Sequence, residues 1–169
     1  ARSGCRGYMN EAFDVLTEAY TEQIDIRVYK NEKRENELWE LLGNNKKYIL
    51  AAGTADAKSV KKAGLEKGHA YTLINIYSVE TDDGEERLVK LKNTYGNGNM
   101  EFNGDWSNSS DKWTEEIKAQ VDYKRKKDNE AFGIFYMSFS DFCKYFDLIN
   151  IAKLEPSYKT TFCKIKKNQ

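Results

Sequence analysis

The chain has 169 residues and a formal net charge of zero, because 27 Lys and Arg balance 27 Asp and Glu. This length suits a single domain with its own core, and the charge balance argues against a general nucleic-acid-binding protein. No stretch approaches the roughly 20 apolar residues of a membrane-spanning helix. We therefore predict one globular domain with no nucleic-acid partner and no membrane span.

Periodic apolar residues predict four elements in the first part of the chain: helices over residues 11–20 and 35–45, and strands over residues 23–29 and 47–54. Asn10 is the expected N-cap of the first helix, and Gly43 can end the second. Residues 55–68 show no clear period and are predicted to form a loop.

The second part of the chain is predicted to consist mainly of strands. "AYTLINIYSV" and "RLVKLKN" form a hairpin through "ETDDGEE", whose Asp-Gly is a turn signal. The remaining elements are a polar loop over 93–112, a helix over 114–127, a strand over 131–139, a helix over 138–146 and a strand over 147–154. Ser138, with Asp141 three residues later, resembles a helix-capping box. The fold class is α+β, mostly antiparallel.

Two further features bear on location and boundaries. The three cysteines, Cys5, Cys143 and Cys163, are odd in number and lack metal-type spacing, which is typical of reduced thiols in a cytoplasmic protein. A single histidine also argues against a zinc site, so no cofactor is expected. The only proline, Pro156, marks a break. We predict a domain over residues 1–155 and a linker or following domain over 156–169.

His69, the only histidine, stands just before the first strand of the hairpin. If the turn is centred on Thr81, His69 lies directly opposite Asn93; a centre nearer Asp83 would place it opposite Asn97. An Asn oxygen that accepts an imidazole N–H fixes the tautomer and orientation of the ring, as in Cys-His-Asn catalysis. A surface or packing role for His69 remains the alternative.

The basic run Lys124–Lys127 is flanked by acidic residues and is interpreted as a solvated face.

Several segments together resemble the second half of the calpain protease core. They are "KGHAYTL", "RLVKLKNTYGNG", "EFNGDWSNSS" and "FYMSFSDFCKYFDLINIAKL". "GYMNEAFDVLTEAYTEQIDI" resembles the family's segment that opens this subdomain, so the similarity spans about residues 6–154. The resemblance implies a papain-like cysteine protease fold, with this chain as its mainly antiparallel β-sheet or barrel half with flanking helices.

The resemblance also implies roles for individual residues. His69 takes the place of the imidazole base and Asn93 that of its orienting amide. Tyr95 occupies the position of a family Trp that lines the cleft and shields the bond between them, and Thr94 replaces the usual Pro. The nucleophilic Cys of the family lies in the other half. The expected partners are therefore this Cys-bearing half and protein or peptide substrates, and the chain alone is expected to be inactive.

The family also binds a calcium ion in this half through four acidic positions. Glu101 remains as a weak remnant of that set, but the other three positions hold Asn108, Phe132 and Ile134. Since calcium requires several hard oxygen ligands, we expect no calcium here. These losses leave open a second interpretation, a catalytically degenerate calpain-like module that acts in protein–protein interaction.

Overall fold

The computed structural model describes residues 9–29, 31–94, 102–123 and 133–154. Within these ranges the helices are α1 (Met9–Thr17), α2 (Glu32–Asn44), α3 (Lys58–Lys62), α4 (Glu115–Gln120) and α5 (Phe139–Tyr145). The strands are β1 (Tyr20–Asp25), β2 (Ile49–Thr54), β3 (Ala70–Thr81), β4 (Gly84–Asn93), β5 (Ile134–Ser138) and β6 (Phe146–Lys153). A 3-10 turn, Ile26–Tyr29, follows β1.

The strands form one antiparallel sheet in the order β1-β6-β2-β3-β4-β5. β3 and β4 make a long hairpin, as the Asp-Gly signal predicts, and the edge strand β5 pairs with the outer side of β4. This arrangement places the start of β3 beside the ends of β2 and β4. The α+β, mostly antiparallel class predicted from the sequence is confirmed.

Side-chain caps explain where two of the helices begin. The Asn31 side chain accepts a hydrogen bond from Arg34 N at 3.1 Å at the start of α2. Ser138 Oγ accepts from Asp141 N at 3.1 Å at the start of α5, which confirms the predicted cap. Each cap satisfies an amide that has no partner within its helix.

Several predicted boundaries differ from the structure; for example, the helix predicted over 11–20 ends at Thr17, and the helix predicted over 114–127 ends at Gln120. Asn10 lies inside α1 rather than capping it, because the helix already begins at Met9. Gly43 lies inside α2, which ends one residue later. The segment over 55–68, predicted to be a loop, contains the helix α3, whose Val60 side chain is buried in the core. The strand predicted over 23–29 ends at Asp25, where the backbone enters the 3-10 turn.

The sheet is packed on both faces. One face meets α2 and α5 in the larger core, whose fully buried members include Leu42, Leu91 and Phe142. The other face of the β3–β5 region is covered by residues 106–123, through a smaller cluster around Trp106 and Trp113. The large core fixes the strands that end at the candidate site. Lys124–Lys127 and the predicted boundary after residue 155 lie outside the described residues.

Candidate active site

Thr54 anchors the backbone of His69 where β2 and β3 meet. Thr54 N donates to His69 O at 3.0 Å, and His69 N donates to Thr54 Oγ1 at 3.0 Å. The Thr54 hydroxyl donates in turn to Glu66 O at 2.6 Å. The preceding residue, Gly68, has φ +56°, a left-handed conformation that glycine adopts without a Cβ clash. These contacts define the position from which the imidazole projects.

The His69 imidazole and the Asn93 carboxamide are in hydrogen-bond contact. Nε2 of His69 lies 3.0 Å from Oδ1 of Asn93. Because a carboxamide oxygen can only accept, this contact requires the ring proton on Nε2. Asn93 is 8% exposed and His69 is half-buried. The bond is therefore partly protected from water, and it selects one tautomer of the ring.

The register of the hairpin differs from the register used in the sequence analysis. Asn93 lies directly opposite Tyr71, and Thr81 pairs with Gly84 at the turn. His69, two residues before Tyr71, therefore approaches Asn93 along a diagonal. The assumed direct opposition of His69 and Asn93 is wrong by two positions. Contact is kept because residues two apart on a strand point to the same face, and diagonal neighbours remain within reach of long side chains.

A β-bulge at Ile74 places the ring and the amide on the same face of the hairpin. Between the turn and the bulge, the numbers of paired residues sum to 165, and beyond it they sum to 164. Without the bulge, the sum of 165 would continue to the end of the hairpin, and Tyr71 would pair with Thr94. Thr94 would then share a face with His69, and Asn93 would point to the opposite face, because neighbouring residues on a strand point to opposite faces. The extra residue in β3 is thus what allows the His69–Asn93 contact.

Tyr71 supports the imidazole from the core side. Its ring lies edge-on to the His69 ring, with 4.9 Å between centroids and 77° between planes. The Tyr71 side chain is 2% exposed, and its hydroxyl accepts a hydrogen bond from Glu66 N at 2.9 Å. Burial raises the pKa of Tyr71, which keeps the phenol neutral. The alternation of β3 could have identified Tyr71, whereas no local pattern indicates Thr54.

Cys143 has the opposite properties from a catalytic thiol. It lies in α5 and is 4% exposed. Burial raises the pKa of its thiol to about 12, and the nearby Glu35 carboxylate adds to the rise. A nucleophilic cysteine needs a lowered pKa, since the thiolate is the reactive form. Cys5 and Cys163 lie outside the described residues.

Asn108 and Ile134, two of the positions that the resemblance assigns to calcium binding, are bonded to each other. The Asn108 amide nitrogen, Nδ2, donates to the backbone carbonyl of Ile134 at 2.9 Å. The Ile134 side chain is apolar and offers no oxygen ligand, so these two residues do not fit a calcium site. Within the described ranges, no group of three or more His, Cys, Asp or Glu could hold a metal. Glu101, Phe132 and Tyr95, the residue expected to line the cleft, lie outside those ranges.

None of the helices in the described ranges combines the length and the apolar character that a membrane span requires.

An antiparallel sheet with a His–Asn pair at the open end of its long hairpin is the arrangement that the cysteine protease interpretation requires. Residues 3–153 match the family described as "Calpain family cysteine protease", so the chain belongs to this family.

Individual relatives support the same assignment. Human calpain-14 is 33% identical over 152 residues, 89% of this chain and 21% of its own length. The calpain-type cysteine protease DEK1 of Zea mays is 30% identical, over 89% of this chain and 7% of its own length. The calpain-2 catalytic subunit of Mus musculus is 28% identical, over 91% of this chain and 22% of its own length. The chain thus spans about a fifth or less of these relatives.

Proposed function

We propose that this chain is the His/Asn-bearing half of a calpain-type cysteine endopeptidase, with His69 as the base and Asn93 as its orienting amide. One observation carries the proposal: Nε2 of His69 lies 3.0 Å from Oδ1 of Asn93, in a chain of a cysteine protease family. The activity is the hydrolysis of peptide bonds in protein or peptide substrates.

The geometry suggests different roles for the two ring nitrogens of His69. The Asn93 oxygen holds the proton on Nε2, so Nδ1 is the nitrogen that exchanges a proton with a cysteine thiol. The resulting imidazolium stabilises the thiolate and later donates its Nδ1 proton to the leaving amine. Because Asn93 is neutral, it orients the ring without adding a second negative charge beside the ion pair.

The nucleophile in this proposal comes from outside the chain. Cys143 is buried in the core, and the raised pKa of its thiol disfavours the reactive thiolate. The required partner is a Cys-bearing half that closes the cleft against the edge of the sheet where His69 lies. We therefore expect the isolated chain to be inactive. A cytoplasmic location is part of the proposal, supported by an odd number of cysteines without metal-type spacing.

Calcium has no place in the proposed function of this half. The Asn108 amide directly joins its loop to β5 through the Ile134 carbonyl, 2.9 Å away. We propose that this hydrogen bond links the loop to β5 directly. Acidic residues at these positions would need a bound cation to make the same link.

A second candidate is a catalytically degenerate module that binds proteins. It is favoured by Asn108 and Ile134, which stand at positions where the resemblance expects acidic residues, because this half would then lack one family property. Thr94 in place of the family's Pro is a second departure. The full-length gene distinguishes the two candidates. A cysteine in a Gly-x-Cys-Trp context upstream of this segment favours the endopeptidase, and its absence favours the degenerate module.

The direct test measures peptide hydrolysis by the full-length protein and two variants. His69→Ala should lower kcat by about 10³-fold or more, because the base is lost. Asn93→Ala should lower it by about 10- to 100-fold, because the ring is still present but no longer held in position. Lys33→Ala, on the exposed surface of α2, is the control and should retain full activity. Turnover that survives His69→Ala would disprove the base assignment.

A further inference from the structure

Gly133 lies against the backbone of Asn93 at the start of β5. Asn93 N donates a hydrogen bond to Gly133 O at 2.9 Å. Gly133 has φ +75°, in the left-handed region where other residues are strained. This glycine therefore contacts the end of β4, next to the carboxamide that meets His69.

A side chain at residue 133 has no room. A Cβ built on Gly133 would lie 2.8 Å from Asn93 O and 3.7 Å from Asn93 Cβ. The close atom belongs to the backbone, so rotation of a flexible side chain cannot relieve the overlap. Restoring an ordinary contact requires a relative movement of about 0.6 Å, the difference between 2.8 Å and 3.4 Å.

A movement of this size matters for the His69–Asn93 contact. The contact measures 3.0 Å, and side-chain hydrogen bonds are lost by about 3.6 Å. The segment of Gly133 is itself held in place, because Asn108 Nδ2 donates to the carbonyl of the next residue, Ile134, at 2.9 Å. Because β5 is held in this way, a side chain at position 133 is expected to displace the Asn93 backbone and not β5.

We infer that Gly133 is a positioning residue, whose missing side chain lets Asn93 approach closely enough to orient the His69 imidazole. The catalytic consequence rests on the proposed function, but the effect on the imidazole does not. Gly133 touches neither the imidazole nor the scissile bond in this assignment and acts only through Asn93. The required variant is Gly133→Ala.

The matched control is Gly84→Ala. Gly84 also has a left-handed backbone, with φ +113°, but a Cβ built there meets nothing within 4 Å. Both variants therefore carry backbone strain, and only Gly133→Ala also pushes against Asn93. A difference between the two variants isolates the displacement of Asn93 from the general cost of replacing a glycine at positive φ.

The first measurement is the tautomer of His69 in the 169-residue chain, followed by ¹⁵N NMR. His69 is the only histidine, so its ring signals need no separation from others. We expect the Nε2–H tautomer to dominate in the wild type and in Gly84→Ala, and to be replaced by a mixture in Gly133→Ala. An unchanged tautomer in a folded Gly133→Ala would overturn the inference. This readout does not depend on peptidase activity.

The second measurement is a double-mutant cycle in the full-length enzyme. Gly133→Ala should lower kcat by about 10- to 100-fold with little change in KM. In an Asn93→Ala background it should cause no further loss, because its effect passes through Asn93. Equal losses in both backgrounds would overturn the inference. If His69→Ala leaves turnover intact, the proposed function fails, while the NMR result still decides the role of Gly133.

Hydrogen exchange tests the inference without any variant, in case Gly133→Ala does not fold. The Asn93 amide, which donates to Gly133, and the His69 Nε2–H should exchange through one common opening of the wild-type chain. Equal opening free energies support the inference. An Nε2–H that exchanges far faster than the Asn93 amide contradicts it.

Discussion

Thr54 and His69 exchange two hydrogen bonds where β2 and β3 adjoin. Thr54 N donates to the His69 carbonyl, and His69 N donates to the Thr54 hydroxyl oxygen, both at 3.0 Å. The same hydroxyl donates to Glu66 O at 2.6 Å. One hydroxyl on a neighbouring strand therefore holds the backbone on both sides of Gly68, and with it the base of the imidazole.

Thr54→Val should destabilise the chain by about 1–3 kcal/mol, because Val keeps the shape but leaves His69 N and Glu66 O without their partner at a buried position. It should also lower the kcat of the full-length enzyme, since the His69 backbone is less constrained. Thr72→Val is the control, because Thr72 points to the other face of the sheet from Tyr71. Comparable losses of activity in the two variants would refute a specific role for Thr54.

Calcium should not stabilise the chain. We expect millimolar calcium to leave the thermal midpoint of the wild type unchanged, because the Asn108 amide already bonds to the Ile134 carbonyl. Asn108→Asp should lower stability by about 1–3 kcal/mol in calcium-free buffer, because a carboxylate cannot donate to that carbonyl.

The matched control for this prediction is Asn103→Asp. The Asn103 amide also donates to a backbone carbonyl, that of Lys62 at 3.1 Å, but Asn103 is exposed. Its replacement should change stability by less than about 0.5 kcal/mol. A midpoint that rises and saturates as calcium is added to the wild type would show that a calcium site persists in this half.

The stability of the chain should fall with rising pH partly because of Cys143. Burial raises the pKa of its thiol from 9.0 to about 12, so the folded state retains a proton that the unfolded state releases above pH 9. The unfolded state then binds fewer protons than the folded state, and stability decreases as pH rises. Between pH 9 and pH 10 this loss is about 1 kcal/mol.

Denaturant unfolding at a series of pH values tests this prediction. Cys143→Ala should be less stable than the wild type at pH 7, because a buried group is removed, but its stability should fall less steeply between pH 9 and pH 10. Tyr71 and Tyr136, whose pKa values burial also raises, contribute to both proteins alike and mainly at higher pH. Parallel pH profiles for the two proteins would contradict the assignment to Cys143.

Local patterns predicted a large part of this fold. The alternation of the β3–β4 hairpin, its tight turn and the Ser138 cap depend on residues close together in sequence. The structure contains all three, although the two turn residues are Asp82 and Asp83 and Gly84 begins β4. The short helix α3 was missed because its five residues carry no apolar period. It forms where Val60 packs into the core, a tertiary effect.

The candidate site was predictable only in part. The sequence alone singled out the candidate residues: a single imidazole ahead of a strand, an asparagine at the end of the partner strand, and their place in the calpain pattern. The alternation of β3 could also have pointed to Tyr71, because it lies two residues from His69 on the same face.

Tertiary structure decided how those residues meet. The bulge at Ile74 sets the face on which Asn93 lies, Thr54 on β2 holds the His69 backbone, and Gly133, just before β5, allows Asn93 its close approach. These three features depend on which strands become neighbours in the sheet. Strand pairing depends on burial and hydrogen bonding between distant segments, and no local run of residues encodes it.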